Sequence, residues 1–253
     1  MKTMIKSLAR MAGYEIARAR KAGDQYLSLG QRFPHDFTEA EIELILRAKP
    51  FTMTSPERVV TLIHAIEYIA SREIAGDIVE CGVWRGGSMM IAAWTLLRLN
   101  RGDIPLRLFD TFAGMSQPSA VDGEAANQTW RDGWAKNHNN ACFATLEEVR
   151  ANLFSTGYEP DRISFVQGDV LETIPQFAPE RIALLRLDTD WYESTKHELW
   201  HLYPRIVPGG VLLIDDYGHW QGCRKAVDEY FNTQKIQVLL NRIDVTGRIA
   251  VKH

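Results

Sequence analysis

Acids gather at one kind of position in this sequence. Glu80 lies near the end of the apolar run Asp77–Gly82, and Asp110 ends Leu106–Asp110. Asp169 follows Ile163–Gln167, Asp188 ends Ile182–Asp188, and Asp215 with Asp216 ends Val211–Asp216. Short apolar runs bounded by glycine or polar residues read as buried strands, and in an open α/β sheet ligands bind beyond the carboxyl ends of the strands. A carboxylate held near a core is costly without partners. A single such acid is accounted for as a helix cap, and a set of structural acids is the competing reading. Acids on all five of these strand ends describe instead a site for cationic or hydroxyl-rich ligands.

The glycines sharpen that reading. The first strand–helix turn runs Glu80-Cys-Gly82-Val-Trp-Arg-Gly86-Gly87-Ser88, a place where backbone must approach a ligand closely. It is not the G-x-G-x-x-G pattern of a dinucleotide binder. A sheet edge lined with acids repels pyrophosphate but suits a ligand that carries an amino group, a sulfonium and a ribose, which describes S-adenosylmethionine. The expected contacts are Glu80 with the amino-acid end through its turn, Asp110 with the ribose hydroxyls, and Asp169 with the adenine amino group. Cys81, Gly82, Ser88, Thr111, Phe112, Gly168, Val170 and Asp188 complete the expected cofactor set.

The elements that must position these residues alternate. Ser55-Pro56-Glu57 has the form of an N-cap, a first-turn proline and a first-turn acid, opening a helix to about Ile69. Further helices are expected at about Gly87–Leu99, Thr145–Ser155, Glu193–Tyr203 and Gly222–Asn232, and Pro208-Gly209-Gly210 is expected to be a turn ahead of the fifth strand. Strands alternating with helices imply an α/β fold, a mostly parallel sheet with helices on both faces. The β-rich stretches Ile236–Asn241 and Arg242–Val251 adjoin so closely that one should run antiparallel. Residues 112–143 are polar and show no helical period; a loop of that length in a compact domain is expected to be a functional lid.

Composition bounds the rest. A chain of 253 residues with a formal charge of −3 fits one α/β domain with additions and has no general pull toward nucleic acid or anionic membrane. Cys81, Cys142 and Cys223 are few, odd in number and widely spaced, which argues against a disulfide framework and for a reducing cytoplasm. No apolar run approaches the roughly 20 residues that span a bilayer, so no stable membrane insertion is expected. The division expected is a helical extension over residues 1–50 and a main domain over 51–253. Within the extension, Met4, Ile5, Leu8, Met11 and Ile16 are spaced for one face of a helix, with basic residues around them. Such a helix packs on its own domain, on a membrane surface, or on a second subunit, and the last of these suits a homodimer or higher oligomer.

The blocks DIVECGVWRGGS, LRLFDTFAGM, VRANLF, RIALLRLDTDWYESTKHELWHLYPRIVPGGVLLIDDYGHWQGCRKAVDEYF and RIDVTG, in unbroken order between about residues 54 and 249, together resemble the macrocin O-methyltransferase family. Members of that family methylate sugar hydroxyls on macrolide and aminocoumarin antibiotics. The resemblance implies a Rossmann-like class I methyltransferase fold, with a seven-stranded sheet and one antiparallel strand. It also implies S-adenosylmethionine as methyl donor and Mg²⁺, with Mn²⁺ as a substitute. The family's metal acids fall on Asp188, Asp215 and Asp216, and its catalytic base on Asp190. Thr189 and Trp191 stand where the antibiotic enzymes have Gly and Leu, and Gly218-His219-Trp220 makes a bulkier pocket wall, which leaves the chemistry intact and the acceptor open.

The residues support the same chemistry directly. Three carboxylates from two strand ends form a hard oxygen site that suits Mg²⁺, Mn²⁺ or Ca²⁺ rather than zinc. Asp190, two residues beyond Asp188, is close enough to serve the same ligand as a general base. His219 is expected as an acceptor contact or plain pocket wall, His138 as a loop residue, and Trp130 with Trp134 as lid stripe or lid packing. Cys223 is expected to be inert packing, Arg85 a lid or cofactor contact or a solvated turn residue, and Lys196 a surface residue rather than a base. Two alternatives to a small-molecule sugar or glycoside acceptor stand beside this reading. One is a phenolic or catechol acceptor, favoured by an aromatic pocket around Trp191 and Trp220; the other is a cofactor-binding subunit without catalysis.

Overall fold

A computed structural model describes residues 33–136 and 142–253. The amphipathic stretch around Met4–Ile16 and His138 therefore lie outside the described residues, as does the side chain of Trp134. The chain divides into two compact units, Met1–Arg47 and Ala48–His253. Helix α1 (Glu39–Ala48) begins at a reciprocal cap. The Thr38 amide and hydroxyl donate to Glu41 Oε2 at 2.6 and 2.8 Å, and the Glu41 amide donates back to Thr38 Oγ1 at 3.3 Å.

The second unit alternates in the expected way: α2 (Pro56–Ser71), β1 (Asp77–Cys81), α3 (Gly87–Arg98), β2 (Leu106–Asp110), α4 (Gly123–Lys136), α5 (Leu146–Phe154), β3 (Ile163–Gln167), α6 (Val170–Thr173), β4 (Ile182–Leu187), α7 (Tyr192–Leu202), β5 (Ile206–Ile214), α8 (Gln221–Gln234), β6 (Asn241–Arg242) and β7 (Arg248–Val251). Ser55 caps α2 by accepting from the Arg58 amide, with Pro56 at the first position. The strands form one sheet in the order β3-β2-β1-β4-β5-β7-β6. The first five are parallel, and β7 runs antiparallel to both β5 and β6. All six residues of β4, the central strand, are buried.

Register is what makes a site of this sheet. Cys81 lies beside Phe109 and Leu187, and Leu187 beside Ile214, so four strands end level with one another. The ladder continues one residue further. The Gly82 amide donates to the Phe109 carbonyl at 2.9 Å, Asp188 to Cys81 at 2.8 Å and Asp215 to Leu187 at 2.9 Å. The first residues past the strands are therefore fixed as rigidly as the strands themselves.

Three expectations need correction. The stretch 112–143 is not without period: it holds a short helical turn, Ala120–Asp122, and α4. The signal was a cap, since the Ser119 amide and hydroxyl both donate to Asp122 Oδ2, at 2.8 and 2.9 Å, but the helix beyond it is too polar for an apolar stripe to stand out. Pro208-Gly209-Gly210 lies inside β5 rather than before it. Between one paired position and the next, the register advances from Ile182 to Leu184 on β4 and from Ile206 to Val211 on β5, a bulge that takes up the extra residues. Residues 236–240 form no strand, and β6 is reduced to Asn241–Arg242.

Gly82 is a tight point between β1 and β4. It has φ 82°, and a Cβ there would be driven into the Asp188 carbonyl. Gly82→Ala is expected to cost about 3 kcal/mol or more, through overpacking and a left-handed backbone that alanine resists. A chemical melt within about 1 kcal/mol of the parent would contradict this account of the β1–β4 junction.

Candidate active site

The carboxyl edge of the sheet opens into a cavity of about 440 Å³. Its walls include Gly82, Ser88, Asp110, Thr111, Gly168, Asp169, Val170, Asp188, Asp190, Asp215 and Asp216. The sheet thus brings together most of the residues singled out from the sequence. Three sit behind the wall rather than in it: Glu80, Cys81 and Phe112 are 1%, 0% and 5% exposed.

Asp110 braces the glycine turn. Its Oδ2 accepts from the Val83 and Trp84 amides at 2.6 and 3.1 Å, and its Oδ1 from the Phe112 amide at 2.7 Å. Burial raises the Asp110 pKa above the ordinary carboxylate range, against the pull of those amides. Asp169 caps α6, accepting from the Leu171 amide at 2.9 Å while it faces the cavity. Cap and ligand contact are therefore compatible roles here.

At the other end of the cavity, one carboxylate oxygen each from Asp188, Asp215 and Asp216 lies within 4.8 Å of the others. Asp216 Oδ2 is buried and has no hydrogen-bond partner. The pKa values of Asp188 and Asp216 are raised, first by burial and further by neighbouring acids; Arg186 works in the opposite direction at Asp188. Crowded acids that resist ionisation, with an orphaned buried oxygen among them, fit a hard divalent cation, whose charge reverses that balance.

The sequence reading missed the residue at the centre of this cluster. Arg186 is 4% exposed. Its NH1 donates to Glu80 Oε1 and Asp188 Oδ2, both at 2.6 Å, and its NH2 to Asp215 Oδ1 at 2.5 Å and Thr54 Oγ1 at 3.2 Å. Burial pushes Glu80 up to about 7, against the attraction of Arg186. The available signal was a lone cation in the strand Ile-Ala-Leu-Leu-Arg-Leu, where an unpaired charge is untenable. Arg58 was missed as well; it pairs with Asp215 Oδ2.

Asp190 carries visible backbone strain, with φ 66°, as do Trp84 and Cys142 on the cavity wall, with φ 46° and 54°. Its Oδ1 accepts from the Trp220 indole at 2.9 Å. Burial, followed by the charge of Asp188, pushes its pKa up to about 7, while hydrogen bonds from Asp216 and Trp220 pull against them. A carboxylate so placed is poised to accept a proton.

The remaining candidates separate. His219 lines the cavity, whereas Trp191 and Trp220 do not; they pack against each other in a tilted arrangement at 5.1 Å, and the Trp191 indole donates to the Ser116 carbonyl at 2.8 Å. The aromatic pocket that a catechol acceptor would use is therefore not built from this pair. Trp130 donates to the Met115 carbonyl at 3.1 Å and so packs the inserted segment on itself. Arg85 pairs with Glu148 at 3.0 Å and donates to the Pro50 carbonyl at 3.2 Å. Lys196 bonds the Tyr192 hydroxyl at 3.0 Å on the outside of α7. Cys223 is buried with its pKa raised by that burial. Cys142 lines the cavity with its pKa pushed up to about 12, by burial and then by Asp190. Both thiols stay protonated and inert. No helix among the described residues is long and apolar enough to cross a membrane.

Comparison with known proteins agrees with this geometry. The family description macrocin-O-methyltransferase (TylF) matches residues 44–251. The 8-demethyl-8-(2,3-dimethoxy-alpha-L-rhamnosyl)-tetracenomycin-C 4'-O-methyltransferase of Streptomyces olivaceus is 37% identical over 78% of this chain and 73% of its own. Mycinamicin III 3''-O-methyltransferase of Micromonospora griseorubida is 33% identical over 78% of this chain and 76% of its own. Among solved structures, the O-methyltransferase NovP superposes with a TM-score of 0.70 at 30% identity, covering 80% of this chain and 82% of that one. The fold is thus the Rossmann-like class I methyltransferase fold expected from the resemblance, and S-adenosylmethionine is the methyl donor. The chain belongs to the macrocin O-methyltransferase family and is an O-methyltransferase.

Proposed function

We propose that this enzyme methylates a hydroxyl of a sugar carried by a glycosylated natural product or polysaccharide precursor, with the help of a divalent cation, Mg²⁺ or Mn²⁺. The observation that carries the reading is the convergence of Asp188, Asp215 and Asp216 beside Asp190, in the cavity that Asp110 and Asp169 also line. The names of the two curated relatives, each an O-methyltransferase of a glycoside antibiotic, support the acceptor class.

Asp110 offers its remaining lone pairs to the ribose of the donor, and Asp169 faces the adenine end. Glu80 works from behind the wall, through Arg186 and the turn it anchors. Asp188, Asp215 and Asp216 would hold the cation, which would supply Lewis-acid lowering of the acceptor hydroxyl's pKa. Asp190 takes the hydroxyl proton as the oxygen bonds to the methyl carbon and the carbon–sulfur bond breaks. The Trp220 indole keeps Asp190 turned toward the cavity, and the lid over 112–143 limits water at the reacting oxygen.

Two measurements test this. Asp110→Ala is expected to weaken binding of the donor by about 1–3 kcal/mol, and unchanged affinity in calorimetry would remove Asp110 from the ribose site. Asp190→Asn is expected to keep cation and donor affinity while turnover on deoxysugar glycosides falls roughly 10²–10⁴-fold. EDTA is expected to abolish parent activity and Mg²⁺ to restore it. Near-full turnover by Asp190→Asn, indifference to EDTA, or faster turnover of catechols than of glycosides would each defeat the corresponding part of the reading.

A further inference from the structure

The sequence block Arg242–Gly247 plays no part in the chemistry above, yet the sheet delivers it to the acids. β7 pairs antiparallel with β5 so that Arg248 lies beside Ile214, and the turn before β7 meets the loop after β5. The Gly218 amide donates to the Thr246 carbonyl at 2.9 Å, and Thr246 lines the cavity. Asp244 is fixed within this turn by the Thr246 and Gly247 amides, which donate to Oδ1 at 2.9 and 2.6 Å. Its Oδ2 accepts from the Ser55 hydroxyl at 2.6 Å and pairs with Arg58 Nε at 3.0 Å. Arg58 then reaches Asp215 Oδ2 through NH1. The side chains of Arg58, Asp215 and Asp244 are only 16%, 10% and 14% exposed, so the chain of charges is poorly screened.

Asp215 is thereby gripped on both oxygens, Arg186 on Oδ1 and Arg58 on Oδ2. An ionised carboxylate has about four lone-pair sites, so two remain for a cation. Guanidinium groups are suited to fixing a carboxylate plane, because their donors are rigid and planar. Losing a group that orients a metal ligand typically costs roughly 10–100-fold in metal affinity.

We infer that Arg58 is a positioning residue for Asp215 as a metal ligand, and that Asp244 acts on Asp215 through Arg58. The inference rests on the cation reading proposed above. The opposite role for Arg58 is that of a resident cation competing with the metal, and the two roles predict opposite signs.

The test is Mn²⁺ binding to the full chain without acceptor or donor, read by the electron paramagnetic resonance of free Mn²⁺, with a thermal melt of each variant. Arg58→Met is expected to weaken Mn²⁺ binding roughly 10–100-fold, and Arg58→Lys, which keeps the charge but loses the fork, to weaken it less. Asp244→Asn is expected to weaken binding, and the double variant Arg58→Met/Asp244→Asn to bind no worse than Arg58→Met alone. Unchanged or tighter binding by Arg58→Met overturns the inference, as do losses that multiply in the double variant. If Arg58→Met does not fold, parent-like affinity in both Arg58→Lys and Asp244→Asn overturns it. A parent protein that binds no Mn²⁺ defeats the cation reading itself, whereas binding by parent and variants alike defeats only the role of Arg58.

Discussion

The buried guanidinium of Arg186 is the interaction on which the site depends. Burial alone lowers an arginine pKa, yet Asp188, Asp215 and Glu80 together raise it well above its ordinary value. The dependence is mutual, because without it Glu80 and Asp188 would be unpaired charges in a poorly hydrated cluster and Asp215 would keep only Arg58. Removing one partner of such a buried pair costs about 3–5 kcal/mol in general. Two guanidinium groups, Arg186 and Arg58, against Glu80, Asp188, Asp215, Asp190 and Asp216 leave the cluster short of compensation. That deficit favours a further cation, and it exists because β4 places an arginine where its neighbours Leu185 and Leu187 are core residues.

The parallel sheet turns that electrostatic problem into a precise geometry. Each acid follows a strand whose last backbone bond is to a neighbouring strand, so the positions of Asp188 and Asp215 are set by ladder hydrogen bonds rather than by loops. Asp190 comes two residues later, where the backbone has already left the ladder and adopts a left-handed turn. Acids on rigid backbone and, two residues on, an acid on strained backbone form an arrangement that a strand-to-helix turn provides without further elements.

The sequence was informative where one residue type recurred at one kind of position. The acids at strand ends, the cap at Ser55 and the antiparallel close of the sheet were all legible, because each follows from local periodicity or cap chemistry. Arg186 and Arg58 were not, because all their acidic partners except Asp188 lie far away along the chain, and a lone cation in a strand shows that a partner is needed but not which one. Glu80 was legible as a site acid but not as one that works from behind the wall. Helix α4 was hidden by its own polarity, and the bulge in β5 by a Pro-Gly-Gly run that reads as a turn in any context. Residues whose role is set by a tertiary partner escape such reading; those whose role is set by their neighbours in the chain do not.

Asp122 shows how this architecture separates what can change from what cannot. One of its oxygens accepts from Ser119 in the inserted segment, and the other accepts from the Tyr192 amide at the start of α7, at 2.7 Å. Gly222, at the start of α8, leaves no room for a side chain against the same carboxylate. Among the described residues the inserted segment is tied to the protein through Asp122 beside Asp190, and through the Ser116 and Val121 carbonyls, which accept from the Trp191 indole and the Gln221 side-chain amide. Drift in the sequence of the insertion can alter which acceptor is admitted without reaching the acids. A new substrate range is then an evolutionary step that need not pass through an inactive intermediate.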